Sequence, residues 1–164
     1  MVRSYLKTIL AVFILVSVAT AVSWAKTDTK AANEAAIKKL VASWDECFER
    51  KDAHACAMFY VEDGDFTSVR GDSDHGRLAV EEHYKKVFTT FLLNAHRKDT
   101  VRSIRFLSPT IASVDSDFEI TGATAPNANE AAKSVRKGLL TWIVTKQNGQ
   151  WYIAIFHELD FPGK

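Results

Sequence analysis

The stretch from Gly138 to Leu159, GLLTWIVTKQNGQWYIAIFHEL, constrains the fold most. Two apolar runs rich in β-branched and aromatic residues flank Asn148-Gly149, the dipeptide that best accepts the positive φ angles of a two-residue hairpin turn. A two-residue loop fixes the register. Lys146 is then expected opposite Trp151, Val144 opposite Ile153, Trp142 opposite Ile155 and Leu140 opposite His157, all on one nearly apolar face. The other face pairs Thr145 with Tyr152, Ile143 with Ala154, Thr141 with Phe156 and Leu139 with Glu158. This register turns His157 inward, as the one ionisable group at the far end of a buried face.

Upstream, Ile37, Leu40, Val41, Trp44, Cys47 and Phe48 recur at three- and four-residue steps, the period of a helix with one buried side. Lys38, Lys39, Asp45, Glu46 and Glu49 make its charged side. Asp52 is placed to cap a second helix from Ala53 to Tyr60. Glu62-Asp63-Gly64-Asp65 reads as a break, Phe66 to Val69 as a short strand, and Gly71 to Gly76 as a turn. A third helix carries Val80, Tyr84, Val87, Phe88, Phe91 and Leu92, with His83 on the edge of its stripe. After a polar break over Asn94 to Thr100, strands are expected at Val101–Leu107 and Ile111–Thr121. In the latter, Ala112, Val114, Ser116, Phe118 and Ile120 share the buried side. Gly122 to Lys137 is a polar, Ala-rich connection. Three N-terminal helices on a strongly curved antiparallel sheet give an α+β fold.

At the N-terminus, Arg3 and Lys7 precede the apolar run Ile9 to Val16, and Ser23-Trp24-Ala25 offers small residues where a signal peptidase reads. Residues 1–25 are expected to be a signal peptide and 26–164 one domain, secreted or periplasmic. The apolar run is short for a ~30 Å hydrocarbon core, so no stable membrane anchor is expected after cleavage. The chain has 21 basic and 20 acidic residues. Losing Arg3 and Lys7 leaves it near neutral, which points to no nucleic-acid partner. Cys47 and Cys56 are either one disulfide, which an oxidising compartment permits, or two small apolar core residues.

Several runs resemble the SnoaL-like polyketide-cyclase group (SgcJ/EcaC-type) of the nuclear transport factor 2-like superfamily. They are Trp44…Asp52-Ala53…Phe59-Tyr60…Asp63-Gly64-Asp65-Phe66, the helix start Gly76-Arg77…Val80…His83…Phe88, and the closing Gly149-Gln150-Trp151-Tyr152-Ile153…Phe156-His157. The resemblance implies a cone with a cavity between helices and sheet. It also implies a choice of chemistries, because isomerases, cyclases, dehydratases, hydrolases and association domains share this fold. Where steroid isomerases of the superfamily carry an Asp base, this chain has Thr67-Ser68-Val69-Arg70. The epoxide-hydrolase members carry an Asp-Arg-Asp arrangement on neighbouring strands; this chain has Arg105 and Asp117, whose faces do not converge, so that mechanism is not expected.

Trp44, Phe48, Tyr60, Phe88 and Trp142 are the expected lining of the cavity, suited to a flat or apolar ligand, although aromatics of a core need no ligand. The leading expectation is a domain that binds a small, largely apolar molecule. A second is a lyase or isomerase in which His157, with an unperturbed pKa of about 6.5, moves a proton together with Asp65 or His83. A third is a domain that only associates, forming a homodimer through the outer sheet face. Asp72, Asp74 and His75 are metal-ligand types in one short turn without a second cluster, so no metal is expected, and no motif calls for a cofactor.

Overall fold

The computed structural model describes residues 30–125 and 135–161. The expected signal peptide and most of the Ala-rich connection lie outside these. Two compact units divide the chain, Met1–Ala35 and Ala36–Lys164. The described part of the first is helical, and the fold is that of the second.

Helix α1 covers residues 30–49 and buries Ile37, Leu40, Val41, Trp44, Cys47 and Phe48, as their spacing requires. It ends where Lys51 takes a positive φ of 55°, letting Lys51 N donate to Phe48 O and Asp52 N to Cys47 O. Asp52 then caps α2 (Ala53–Ala57), its side chain accepting from Ala55 N at 2.9 Å. Cys47 and Cys56 form a disulfide that ties α2 to α1. The second helix stops short of Tyr60. Instead β1 (Tyr60–Thr67) runs straight through the expected break at Glu62 to Asp65, followed by β2 (Ser73–His75) and α3 (Arg77–Phe88). The third helix thus follows two strands.

Strands β3 (His96–Ser108), β4 (Ile111–Thr121), β5 (Val135–Gln147) and β6 (Gln150–Asp160) complete a curved six-stranded sheet of order β2-β1-β6-β5-β4-β3. Every pairing is antiparallel except β1 with β6, which is parallel. Its inner side holds the α+β core: Trp44, Trp142, Phe118 and Phe156 are all fully or almost fully buried. Burying one such side chain contributes about 1.5–3 kcal/mol. Gly138 admits no side chain, because a Cβ there would lie 2.0 Å from Leu159 O and 2.6 Å from the Phe118 ring.

The β5–β6 turn is the expected one, with Asn148 at φ 51° and Gly149 at φ 83°. Its register holds only as far as Val144 opposite Ile153. Beyond that point Ile143 faces Ile155, Trp142 faces Phe156, Thr141 faces His157 and Leu140 faces Glu158. Ala154 is the unopposed residue of a β-bulge. Because side chains alternate with period two, one extra residue exchanges the two faces. The expectation that His157 points inward is therefore corrected: His157 is exposed beside Thr141, Phe156 is buried in the core, and Glu158 turns inward. The bulge sits beside a second irregularity, between Tyr60 and Asp65 of β1, where a Cβ on Gly64 would lie 3.2 Å from Ile153 O.

Candidate functional site

A recess opens between α1, α3 and the inner side of the sheet. It is narrow, with a cavity volume of about 30 Å3. A dry cavity of about 150 Å3 accepts benzene, so a ring-sized guest here must displace side chains at the mouth. Trp44, Phe48, Phe66 and Tyr84 form apolar walls, and the ionisable lining groups are Arg70, His83, Arg97, Arg136 and Glu158.

On α3, His83 places Nδ1 2.9 Å from Asp74 Oδ2, and both side chains are largely buried. Its ring packs 4.6 Å from that of Phe66. Burial pushes the imidazole pKa below its ordinary value, opposed by the negative charges of Asp74, Asp72 and Glu158. Neutral imidazole is thus the form favoured at neutral pH, with Nε2 on the side away from Asp74.

The floor is built on β3, the edge strand beside α1. Asp45 and Glu49, one helical turn apart, accept the backbone N–H groups of Asp99 (3.0 Å) and Arg97 (2.7 Å), which pins this edge to the helix. Arg97 and Asp99 then both project inward. Arg97 Nε donates to Asp99 Oδ1 at 2.9 Å and Nη1 donates to Glu158 Oε1 at 2.5 Å. Burial alone would favour a neutral guanidinium, but the two carboxylates outweigh it and raise the Arg97 pKa. Burial in turn raises Asp99 to about 6 against the pull of Arg97, and burial with the charge of Asp99 raises Asp45 to about 7.

Of the three proton-transfer candidates, only His83 lines the recess. Asp65 is half-buried on β1, away from the recess, and bonded to His75 Nδ1 at 2.6 Å, and His157 lies on the outer side of the sheet. Among the aromatic candidates, Trp44 and Phe48 reach the recess. Tyr60, Phe88 and Trp142 are packed behind it: Trp142 lies 5.4 Å from Trp44, Phe88 lies 5.1 Å from Phe48, and the Tyr60 hydroxyl meets that of Tyr84 at 3.1 Å. The carboxylate–arginine–carboxylate arrangement sought in Arg105 and Asp117 is formed instead by Asp99, Arg97 and Glu158. Arg105 is exposed, and Asp117 pairs with Arg102 at 3.4 Å. Among the described residues, no group of three or more His, Cys, Asp or Glu converges as a metal site would require.

With this geometry in view, comparison with known proteins settles the family. The profile of the SnoaL-like domain matches residues 29–157, most of the chain. The chain belongs to the SnoaL-like domain family. No curated protein matches it. Solved structures similar to this SnoaL-like domain include a scytalone dehydratase-like protein from Novosphingobium aromaticivorans DSM 12444, with a TM-score of 0.71 and 20% identity over 83% of this chain and 89% of that one. A ketosteroid isomerase-like protein from Erwinia carotovora atroseptica SCRI1043 gives 0.64 and 19% over 79% and 96%. An NTF-2 like protein of unknown function from Shewanella oneidensis MR-1 gives 0.63 and 23% over 78% and 99%. At these identities the likeness establishes the fold alone.

Sequence reasoning missed Arg97, Glu158 and Asp74 in this SnoaL-like domain. Asp74 was visible as a possible ligand in a turn, but its meeting with His83 depends on how β2 and α3 pack. For Arg97 and Asp99 the usable signal was their i, i+2 spacing, which puts two opposite charges on one side of a strand.

Proposed function

We propose that the recess binds a small, largely apolar molecule with one polar head, and that His83 and Glu158 exchange a proton with it in a lyase- or isomerase-type reaction. One observation carries this reading: two groups able to carry a proton line the same recess, His83 with Nδ1 2.9 Å from Asp74 Oδ2 and Glu158 paired with Arg97. A neutral imidazole beside Asp74 can take a proton, and the Asp74 charge stabilises the imidazolium that results. Separating two titratable groups across one site is what acid–base work requires. The scytalone dehydratase-like and ketosteroid isomerase-like neighbours are compatible with such chemistry on this fold. The Cys47–Cys56 disulfide and the N-terminal sequence pattern together support export to an oxidising compartment.

The test is exchange of the α-hydrogens of butanone in D2O, followed by proton NMR. The protein should accelerate exchange over buffer, and His83→Gln should lower that acceleration by about 100-fold or more. A wild-type rate equal to buffer would refute proton transfer. The narrowness of the recess favours a second reading, association without catalysis. Its surface would be the outer side of the sheet, where Ile143 faces Ile155 and Leu139 faces Leu159.

A further inference from the structure

Arg97 makes fixed contacts with two of its three side-chain nitrogens. Nε is held by Asp99 and Nη1 by Glu158, whereas Nη2 is buried and has no protein partner among the described residues. The side chain is only 2% exposed and lines the recess. Its guanidinium carbon lies 4.8 Å from the centre of the Trp44 ring, which also lines the recess and whose Nε1 is likewise buried without a partner among the described residues. A buried N–H left unpaired is costly, and here two donors belong to neighbouring side chains of one recess.

What would satisfy such donors is an oxygen acceptor, and the local charge decides which kind. Arg97 already faces the carboxylates of Asp99 and Glu158. At the mouth, Arg136 is paired with Asp160 and Arg70 lies 3.6 Å from Asp72. A ligand carboxylate would bring a third negative charge to one guanidinium. An uncharged carbonyl oxygen needs only the N–H dipole and brings none.

We propose that Arg97 Nη2 anchors the carbonyl oxygen of an uncharged ketone or aldehyde at the floor of the recess. This rests on the reading of the recess as the binding site, and adds the chemical class of its ligand. With its oxygen on Nη2, the carbonyl group shares a guanidinium with Glu158, so the substituents next to it lie beside a proton-transfer group.

The probes are butanone and propanoate, equal in heavy-atom count, titrated into the intact protein carrying 15N-labelled arginine. Butanone should shift the Arg97 side-chain resonances and bind at least about tenfold more tightly than propanoate. Arg97→Lys, which keeps the charge and loses the fork, should weaken butanone binding about tenfold or more. Should Arg97→Lys fail to fold, the wild-type resonance shift decides alone. Equal or tighter binding of propanoate, butanone binding with Arg97 unmoved, or no butanone binding would each overturn the assignment. Accelerated α-hydrogen exchange without an Arg97 shift overturns this inference and leaves proton transfer standing; a shift without exchange does the reverse.

Discussion

Replacing Asp45 by Asn should change how stability depends on pH, in a direction the structure fixes. Asp45 accepts the Asp99 N–H through Oδ2, while its Oδ1 and Asp99 Oδ2 are both buried without a partner among the described residues. Burial and the neighbouring Asp99 charge move the Asp45 pKa from 3.8 to about 7. A carboxyl whose pKa is raised on folding binds its proton more tightly in the folded chain. Its contribution to stability is therefore fully present below about pH 4 and is lost as pH rises through 7. At about 1.36 kcal/mol for each pH unit, the displacement corresponds to roughly 4 kcal/mol. Asp45 is only partly buried, so solvent screening reduces this to about 2 kcal/mol. Asparagine keeps an oxygen for the Asp99 N–H and supplies a donor in place of the titrating proton.

Asp99, raised to about 6, weakens the fold in the same direction. His83 acts oppositely, because a histidine whose pKa is lowered on folding costs stability as pH falls below its unfolded value of about 6.5. The wild-type profile alone therefore mixes opposing trends, and the difference between wild type and variant removes that of His83 and reports Asp45 together with its effect on Asp99. Urea unfolding at pH 5, 6, 7 and 8 should show Asp45→Asn gaining about 1 kcal/mol on wild type between the lowest and highest pH, because the remainder of the displacement is already lost below pH 5. A difference that stays constant with pH, or a variant that loses ground at pH 8, would refute the reasoning.

Glu158→Ala should cost about 3–5 kcal/mol in denaturant unfolding, because it breaks a buried pair with Arg97, whereas the exposed His157→Ala should stay within about 0.5 kcal/mol. Reducing the Cys47–Cys56 bridge should lower stability by about 2–3 kcal/mol, measured by unfolding with and without reductant, since it closes only a short loop. Intact-mass analysis of exported protein should place the mature N-terminus at Lys26, and an uncleaved mass would remove the assignment to an oxidising compartment. Light scattering at micromolar concentration should show a dimer if the outer side of the sheet is an association surface, and a monomer would remove that reading.

Much of the frame was legible in the sequence, for a definite reason. The stripe Ile37 to Phe48, the alternation Ala112 to Ile120 and the Asn148-Gly149 turn all obey the rule that apolar residues recur with the period of their element. The site was legible in proportion to how far it obeys the same rule. The first residues of β3 read as a polar break because their inward positions are Arg97 and Asp99, so the expected alternation is inverted where the recess has its floor. His83 stayed visible because it rides on a helix whose other positions are apolar. The bulge at Ala154 left no mark, since every residue from Trp151 to Phe156 suits a strand on either face. Local rules fail here at the site, where charged side chains are held inside by one another.

The bulge also makes β6 a strand with two possible interiors. Counted back from the turn without the extra residue, the strand sends Ile155, His157 and Leu159 inward; counted with it, the inward residues are Phe156 and Glu158. Parity at one alanine thus decides whether an imidazole or a carboxylate meets Arg97, and so the sign of the charge beneath the recess. An insertion or deletion between Trp151 and Phe156 would exchange Glu158 for His157 at the recess without a substitution at either position.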